Sequence, residues 1–381
     1  MKKLLCTAVA LLTLLTPVHA AETVPQDAVD VSAPSAILME KSTGDVIYEK
    51  SAHERMPPAS VTKVMTMLLI VEAIERGELS LEDTVTASER AASFGGSCVF
   101  LEEGEQMSVD EMLKCIAVVS ANDCAVAMAE HMCGSEPAFV KRMNERASQL
   151  GLKDTNFKNC TGLFEDDEHY TSAYDIAVMS RELISHELIK NYTTIWMDSI
   201  RSGEFGLSNT NKLVYYYDGC TGLKTGFTEK AMYCLSATAM REGIEFIAVI
   251  MHAETIDARN NDAKALLNYG FANYRLLSLR SPEVLPPVRV SLGAADSVQP
   301  VYSSPETMLV EKNSVGEVSY ELELPDCVCA PIEQGQRIGT LRLVSGGDTV
   351  REIPLVSDSS VERAGLGPIL LELLKSYIGL G

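Results

Sequence analysis

The sequence predicts an α+β fold, in which an antiparallel sheet and a group of helices occupy different parts of the chain. Two strand-like runs flank a Ser-Thr-Gly-Asp turn at residues 42–45, and several helical stretches follow within residues 60–185. Strand-rich runs return after Leu213, and another helix comes after them. Because strands and helices do not alternate regularly, this order favours a mostly antiparallel sheet flanked by helices.

Start and stop signals define the helices of the middle segment. The stretch from Ser108 to Ser120 begins with a capping box, because Glu111 stands three residues after Ser108. Gly134 and Gly151 each follow a helical stretch, as glycines at helix ends commonly do. We therefore predict three consecutive helices here, together with an earlier helix that begins near Ser60 and is ended by Gly77, and a later one that begins near Thr171.

The last third of the chain predicts a hairpin, a helix and a separate all-β unit. The hairpin turns at residues 241–243, and a helix fits residues 257–277. A proline-rich stretch at residues 281–288 marks a boundary, and short β-like runs with Gly, Pro and Asp turns continue to Ser357. The predicted division is a large α+β domain over residues 30–280, a small β domain over residues 285–357 and a tail over residues 358–381.

Charge and length limit the classes of function. The chain has 381 residues, enough for two domains, and a formal net charge of −21 at pH 7. So acidic a chain lacks the basic surface that nucleic acids bind, and we expect no nucleic-acid partner. Lys2 and Lys3 precede the apolar run LLCTAVALLTLL, and small residues follow it, the pattern of a secretory signal peptide over residues 1–20 with cleavage near Ala20. We therefore expect an exported protein.

The sequence carries no motif for a cofactor or a metal. Ten cysteines are present, and one leaves with the signal peptide, so the odd remainder predicts at least one free or intermolecular thiol. The histidines are scattered, and the nearest approach to HExxH, at His186, has Lys190 in its last position. Because GxGxxG and Walker loops are absent as well, we expect neither a metal nor a nucleotide cofactor.

The stretch MPPASVTKVMTMLL, residues 56–69, places Ser60 and Lys63 at the start of a buried helix. A serine there ordinarily caps the helix, and a good cap has Glu or Gln three residues later. Lys63 has the wrong sign for that position, since a helix N-terminus carries partial positive charge. Burial and that charge both disfavour the ammonium form. A neutral amine one turn from a serine hydroxyl is a base beside a nucleophile.

Two further motifs favour a catalytic role for Ser60 and Lys63 over a chance SxxK. The tripeptide SAN at residues 120–122 follows the capping-box helix, and KTG at residues 224–226 lies in the strand-rich segment. An isolated SxxK is expected by chance about once in a chain of this size. Here SxxK, SxN and KTG each occur once and in that order. We therefore interpret the three motifs as one catalytic set.

These motifs are similar to those of serine penicillin-binding proteins and β-lactamases. The resemblance is closest to the low-molecular-mass D-alanyl-D-alanine carboxypeptidases, particularly those of spore-forming bacteria. It extends from Ala33 to the C-terminus through the blocks GGSCVFLEEGE, ANDCAVAMAEH, NCTGL, YTSAYDIAVMSREL, NTNKL, TGLKTGFT and LLNYGFANY. It implies a β-lactamase-like transpeptidase domain, an antiparallel sheet flanked by helices, with a small C-terminal all-β domain and an amphipathic terminal helix.

The resemblance also implies a role for each motif residue. Ser60 attacks the carbonyl between two terminal D-alanines of a peptidoglycan stem and forms an acyl-enzyme, as it also does with β-lactam antibiotics. Lys63 is the general base, and Ser120 passes a proton to the departing D-alanine. The residues implied to bind substrate are Asn122 at the peptide, Lys224, Thr225 and Arg259 at the carboxylate, and Gly226 and Phe227 beside them.

Several finer expectations accompany these roles. The backbone N–H groups of Ser60 and Phe227 are implied to form the oxyanion hole. We expect charge repulsion from Lys224 to help keep Lys63 neutral. For Arg259 the alternative of an ordinary solvated arginine on a helix surface stays open.

The tail has an amphipathic pattern. From Leu366 onward, the apolar residues lie on one broad face of a helix too short to span a bilayer. The resemblance implies a peripheral anchor at the outer face of the cytoplasmic membrane, and docking on the protein's own surface is the alternative.

Two other functions remain open at this stage. A β-lactamase needs fast deacylation, for which Glu165 and Glu168 are candidates by their position in the sequence alone. A non-catalytic wall-binding or sensor protein would need none of the motif residues intact. The complete motif set favours the carboxypeptidase.

Overall fold

The computed structural model describes residues 29–163, 166–303 and 305–367. The predicted signal peptide at residues 1–20, most of the predicted tail, and Glu165 lie outside the described residues. Within them, no helix combines the length and the apolar character that crossing a membrane requires.

Eighteen strands and nine α-helices can be assigned among the described residues, with short 3-10 turns at Ala59–Thr62 and Arg201–Gly203. The helices are α1 Lys63–Glu75, α2 Glu89–Ala92, α3 Val109–Val118, α4 Asn122–Cys133, α5 Glu136–Gln149, α6 Ala173–Leu183, α7 Glu187–Thr193, α8 Leu213–Tyr216 and α9 Ile256–Asn273. The strands are β1 Ser35–Glu40, β2 Val46–Lys50, β3 Thr84–Thr86, β4 Gln106–Ser108, β5 Met197–Ile200, β6 Phe205–Ser208, β7 Cys220–Thr228, β8 Met232–Arg241, β9 Ile244–Ala253, β10 Tyr274–Ser278, β11 Val288–Ser291, β12 Ser297–Val298, β13 Pro300–Tyr302, β14 Thr307–Glu311, β15 Val318–Glu323, β16 Cys327–Cys329, β17 Arg337–Ser345 and β18 Asp348–Ser357.

A five-stranded antiparallel sheet in the order β2-β1-β9-β8-β7 divides the larger part of the molecule into two cores. Alternate residues of β1 show the division, because successive side chains of a strand point to opposite faces. Ile37 joins the core formed with α1, α3, α4, α5 and α6, whereas Leu38 joins the core formed with α9. The strand β7, which carries KTG, lies at one edge of this sheet.

The predicted elements of this part are present, with one correction. The first hairpin, the capping-box helix and the turn at residues 241–243 all form where the sequence predicts them. The helix predicted over residues 257–277 is wrong beyond Asn273, because residues 274–278 leave the helix as β10 and pair with β14. Their partner lies about thirty residues later in the chain, so local periodicity cannot reveal the pairing.

The residues after Val288 form small sheets in the orders β12-β11-β16 and β13-β18-β17-β15, each with its own apolar cluster. Leu341 and Leu343 of β17 and Ile353 of β18 are fully buried between the longer strands and the β10–β14 pair. This part is therefore the small all-β unit that the sequence predicts.

The capping box of α3 fixes the start of the helix that leads to Ser120. The Glu111 N–H donates to Ser108 Oγ at 3.2 Å, and the Ser108 N–H donates to the Glu111 carboxylate at 3.4 Å. Both bonds satisfy donors that the helix itself leaves unpaired.

Replacing Ser108→Ala removes one of these bonds. We expect a loss of about 1 kcal/mol, the usual cost of an N-cap serine, and a melting temperature lower by about 2–4 °C. Scanning calorimetry would measure it, with Ser199→Ala on the exposed strand β5 as the control. An unchanged melting temperature for Ser108→Ala would show that the cap contributes nothing.

Candidate active site

Ser60 lies in the 3-10 turn Ala59–Thr62, which we call the nucleophile turn, immediately before α1. Its hydroxyl does not cap the helix, because neither the turn nor α1 has a side-chain cap. Ala59 has a φ of +48°, a conformation that a non-glycine residue adopts at some cost. The backbone therefore places Ser60 at a half-exposed position with its side chain free for another partner.

That partner is Lys63, whose amine is fully buried. Its Nζ lies 3.0 Å from Ser60 Oγ, 2.6 Å from Asn122 Oδ1 and 2.9 Å from the carbonyl oxygen of Thr161. The two latter atoms can only accept a hydrogen bond, whereas a serine hydroxyl can donate or accept. A neutral amine has two N–H donors and one lone pair, so its donors match the two acceptors and its lone pair faces Ser60 Oγ.

Burial sets the charge of this amine. Removal from water lowers the pKa of Lys63 to about 7, although the nearby acidic groups Cys160, Cys98 and Asp123 oppose that change. A lysine with such a pKa is present as a free base in a substantial fraction, about half, near neutral pH.

A segment at residues 158–162, which we call the floor segment, packs against the first turn of α1. Asn159 Oδ1 accepts hydrogen bonds from the N–H groups of Thr161 at 3.1 Å and Gly162 at 2.6 Å, so the segment is tightly turned. The carbonyl of Thr161 then binds Lys63, and the carbonyl of Cys160 accepts from Thr66 Oγ1 at 2.7 Å. The floor segment therefore holds the first turn of α1 by its side chains.

The SxN residues approach from the junction of α3 and α4. Asn122 is buried, and its Nδ2 donates to the carbonyl of Gly95 at 2.8 Å, which orients Oδ1 toward Lys63. Ser120 is also buried, with a φ of +66°. Its Oγ makes no hydrogen bond within the described part of the chain. The loop thus presents a hydroxyl that has no structural partner there.

The KTG motif lies on β7 and packs against the nucleophile turn. A Cβ added at Gly226 would lie 2.7 Å from the Pro58 carbonyl and 3.0 Å from the Val61 nitrogen, so a side chain there would push the two apart. Thr225 Oγ1 donates to Thr210 Oγ1 at 2.7 Å. Phe227 is 52% exposed and stacks on Tyr233 with the ring centroids 4.4 Å apart.

Two buried basic side chains, one on this strand and one from α9, lie close enough to repel each other. Lys224 donates to the Thr225 carbonyl at 2.9 Å, and Arg259, at the start of α9, donates to Asn260 Oδ1. Burial lowers the pKa of Lys224, and repulsion from Lys63 and Arg259 lowers it further. Burial also lowers the pKa of Arg259 to about 10. Arg259 is only 5% exposed, so the alternative of a solvated surface arginine is wrong.

One cluster that could hold a metal ion occurs among the described residues, formed by Glu72, Glu182 and His186. Arg146 already binds both carboxylates, at 2.7 Å and 2.6 Å, so a cation occupies the position. The nine cysteines of the described residues are all free thiols.

Sequence reasoning missed the residues that support the catalytic groups. Thr161 binds Lys63, Thr210 binds Thr225, and His169 lies 2.8 Å from the hydroxyl of Thr62. The motif pattern identifies Ser60 and Lys63 by residue type. The contact of Thr161 uses its backbone carbonyl, which every residue has, so residue type cannot predict it. The block NCTGL contributed to the family resemblance but did not indicate which residues it contacts.

Two family profiles match this chain, one over the large domain and one over the small β domain. The family profile described as D-alanyl-D-alanine carboxypeptidase matches residues 20–255, and the one described as the C-terminal domain of penicillin-binding protein 5 matches residues 282–363. The chain is 44% identical over 338 residues to the D-alanyl-D-alanine carboxypeptidase DacF of Bacillus subtilis, with 87% of each chain covered.

More distant relatives agree. The chain is 30% identical over 366 residues to the D-alanyl-D-alanine carboxypeptidase DacC of Escherichia coli, which covers 93% of this chain and 91% of that protein. The solved structure of penicillin-binding protein 5 from Haemophilus influenzae matches with a TM-score of 0.75 at 29% identity, covering 88% of this chain and 98% of that one. The predicted penicillin-binding, β-lactamase-like fold with its C-terminal all-β domain is therefore confirmed.

The space between Gly162 and the nucleophile turn yields a prediction. A Cβ at Gly162 would lie 1.8 Å from the Ala59 carbonyl oxygen and 2.6 Å from Thr62 Oγ1, so Gly162→Ala must displace the turn. We expect Ser60 to react with a fluorescent penicillin about 100-fold more slowly, the typical effect of a displacement of about 1 Å.

Gly151→Ala is the matched control for this change. Gly151 has the same φ of +73° as Gly162, but nothing lies within 4 Å of a Cβ added there. Both variants therefore carry the same backbone strain, and only Gly162→Ala carries the steric clash. Equal rates for the two variants would contradict the prediction.

Proposed function

The chain belongs to the D-alanyl-D-alanine carboxypeptidase family, and on this premise we propose that Ser60 carries the reaction. The proposed substrate is a peptidoglycan stem pentapeptide, from which the enzyme removes the terminal D-alanine through an acyl-enzyme. β-Lactam antibiotics then act as covalent inhibitors that acylate the same hydroxyl.

The arrangement of hydrogen bonds around Lys63 carries the proposal. Asn122 Oδ1 and the Thr161 carbonyl both require donors, so the neutral amine turns its lone pair toward Ser60 Oγ, 3.0 Å away. A base within hydrogen-bond distance of a hydroxyl is what activation of a serine nucleophile requires. No other base needs to approach Ser60.

The recognition of the substrate's carboxylate rests on the two buried cations. Neither Lys224 nor Arg259 forms a salt bridge with any described residue, and each is at least 95% buried. An unpaired charge is costly at a buried position, so the pKa of each group is lowered, and the free carboxylate of a terminal D-alanine would favour the charged form of both. Thr225 follows Lys224 on β7, and its hydroxyl becomes a donor to that carboxylate when the Thr225–Thr210 hydrogen bond reverses and Thr210 donates.

The reaction steps follow from these positions. Ser60 Oγ attacks the carbonyl carbon as its proton passes to Lys63 Nζ, and the developing oxyanion accepts hydrogen bonds from the backbone N–H groups of Ser60 and Phe227. Ser120 Oγ gives its proton to the nitrogen of the departing D-alanine and takes the proton held by Lys63 Nζ, so the C–N bond breaks, a neutral amine leaves and Lys63 is again a free base. Lys63 then accepts a proton from the water that attacks the ester carbonyl, and this proton passes to Ser60 Oγ as the ester C–O bond breaks and the shortened peptide leaves.

The β-lactamase alternative has weak support. Of its two candidate glutamates, Glu168 is exposed and pairs with Lys158 at 2.5 Å, on the surface of the molecule. A glutamate engaged in that way is poorly placed to activate a deacylating water, which favours slow turnover of penicillin. The intact motif residues likewise argue against a non-catalytic wall-binding protein.

We also propose that the protein is exported and held at the outer face of the cytoplasmic membrane. The apolar run before Ala20 supports export, and the apolar face that begins at Leu366 supports peripheral attachment by burial in the interface. The proposed division into a catalytic domain over residues 30–280 and a β domain over residues 285–357 agrees with the separate ranges of the two family profiles.

The activity has a direct test. The purified mature chain, incubated with a stem pentapeptide ending in D-Ala-D-Ala, is expected to release free D-alanine and to leave a tetrapeptide, as measured by mass spectrometry. Ser60→Ala should lower the rate by more than about 1000-fold, because it removes the nucleophile. Prior treatment with penicillin should give the same loss in the wild type. Absence of D-alanine release from the wild type would refute the proposal.

A further inference from the structure

His169 is a buried histidine that none of the proposed reaction steps uses. It is 4% exposed and packs edge-on against Phe157, with ring centroids 5.9 Å apart. Its two ring nitrogens nevertheless both have partners. Nε2 lies 2.8 Å from Thr62 Oγ1 in the nucleophile turn, and Nδ1 lies 3.0 Å from the backbone nitrogen of Lys158 in the floor segment.

These partners fix the tautomer of the imidazole. A backbone N–H can only donate, so Nδ1 must accept the bond from Lys158 and the ring proton must be on Nε2. The Nε2–H then donates to Thr62 Oγ1, and the Thr62 hydroxyl donates to the carbonyl of Ala59 at 2.8 Å. A doubly protonated ring would set one N–H against another, and burial lowers the pKa of His169 to about 4. The geometry therefore requires the neutral ring.

The segment around His169 is hydrogen-bonded to the nucleophile turn on both sides of Ser60. Thr171, two residues after His169, pairs with Met56 through two backbone hydrogen bonds of 2.8 Å and 3.0 Å. Met56 precedes Ser60 by four residues, and Thr62 follows it by two. The segment 169–171 therefore spans the nucleophile turn, with one attachment before Ser60 and one after it.

We propose that His169 is a positioning residue for acylation, which joins the nucleophile turn to the floor segment and so fixes Ser60 relative to Lys63. One side of the ring holds Thr62 and, through it, the Ala59 carbonyl that precedes Ser60. The other side holds Lys158, three residues before the Thr161 carbonyl that binds Lys63. The inference rests on the proposed function, because it concerns the reaction between Ser60 and an acyl donor.

The effect of His169 should fall on the chemical step. Ser60 Oγ and Lys63 Nζ lie 3.0 Å apart, and transfer of the hydroxyl proton depends steeply on that distance. Lys224, Thr225 and Arg259 belong to other elements and keep their places when His169 changes. Loss of the two imidazole bonds should therefore slow acylation and leave the affinity for the acyl donor nearly unchanged.

Two substitutions at His169 separate the effect of its hydrogen bonds from the effect of the volume that its ring fills. His169→Phe keeps an aromatic ring and removes both hydrogen bonds. His169→Gln offers an amide N–H to Thr62 and an amide oxygen to the Lys158 N–H. Stopped-flow acylation by a fluorescent penicillin gives the rate constant and the dissociation constant separately for each variant, and calorimetry gives the melting temperature.

We expect His169→Phe to be acylated at least about 10-fold more slowly than the wild type, with the dissociation constant within about threefold, and His169→Gln to recover most of the rate. Acylation of His169→Phe at the wild-type rate, or a Gln variant no faster than the Phe variant, would overturn the inference. An unlabelled wild type would instead refute the proposed function, so the two failures are distinguishable.

A second measurement, of the His169 tautomer, is made on the wild-type protein. In protein labelled with ¹⁵N-histidine, the structure requires the His169 signal to be that of the neutral Nε2–H tautomer at pH 7. Thr62→Val, which keeps the shape of Thr62 and removes its hydroxyl, should slow acylation as His169→Phe does. A Nδ1–H tautomer or a charged ring at pH 7 would overturn the inference independently of any kinetic result.

Discussion

A buried amine must have its hydrogen-bonding groups satisfied, and the way this chain satisfies them at Lys63 determines the geometry of the site. Two acceptors, Asn122 Oδ1 and the Thr161 carbonyl, come from separate segments and converge on Nζ. With both occupied, the remaining direction faces Ser60 Oγ. Burial stabilises the neutral amine, so the same desolvation that opposes folding with a charged lysine supplies the base.

Three neighbouring parts of the chain pack against the nucleophile turn and fix its position. Gly226 of β7 lets the edge strand approach the turn, and Gly162 lets the floor segment do so, since a Cβ at either position would collide with backbone atoms. His169 closes the remaining side through Thr62. Close packing of this kind transmits small displacements, and the position of Ser60 therefore depends on residues that never contact substrate.

The sequence predicted those parts of the molecule that are encoded by residue type. The pairing of Ser60 with Lys63 and the capping box of α3 follow from local spacing, and the structure contains both. The contact of Asn122 with Lys63 does not follow from it, because the two residues are 59 positions apart and the motif implied only a substrate contact for Asn122. Contacts made by backbone atoms could not be predicted in this way, because the Thr161 carbonyl is the same group that every residue carries. The pairing of β10 with β14 was also not predicted, because it joins segments about thirty residues apart and local periodicity does not report such pairing.

The central claim is that burial gives Lys63 a substantial free-base fraction at neutral pH, and its titration tests that claim most directly. In protein labelled with ¹³Cε-lysine, the signal assigned to Lys63 by its loss in Lys63→Ala should titrate with a pKa of about 7, well below the ordinary value of 10.5. The neutral fraction then grows as pH rises through 7, so acylation by penicillin should accelerate over the same interval. A Lys63 signal that titrates near its ordinary value would contradict the account.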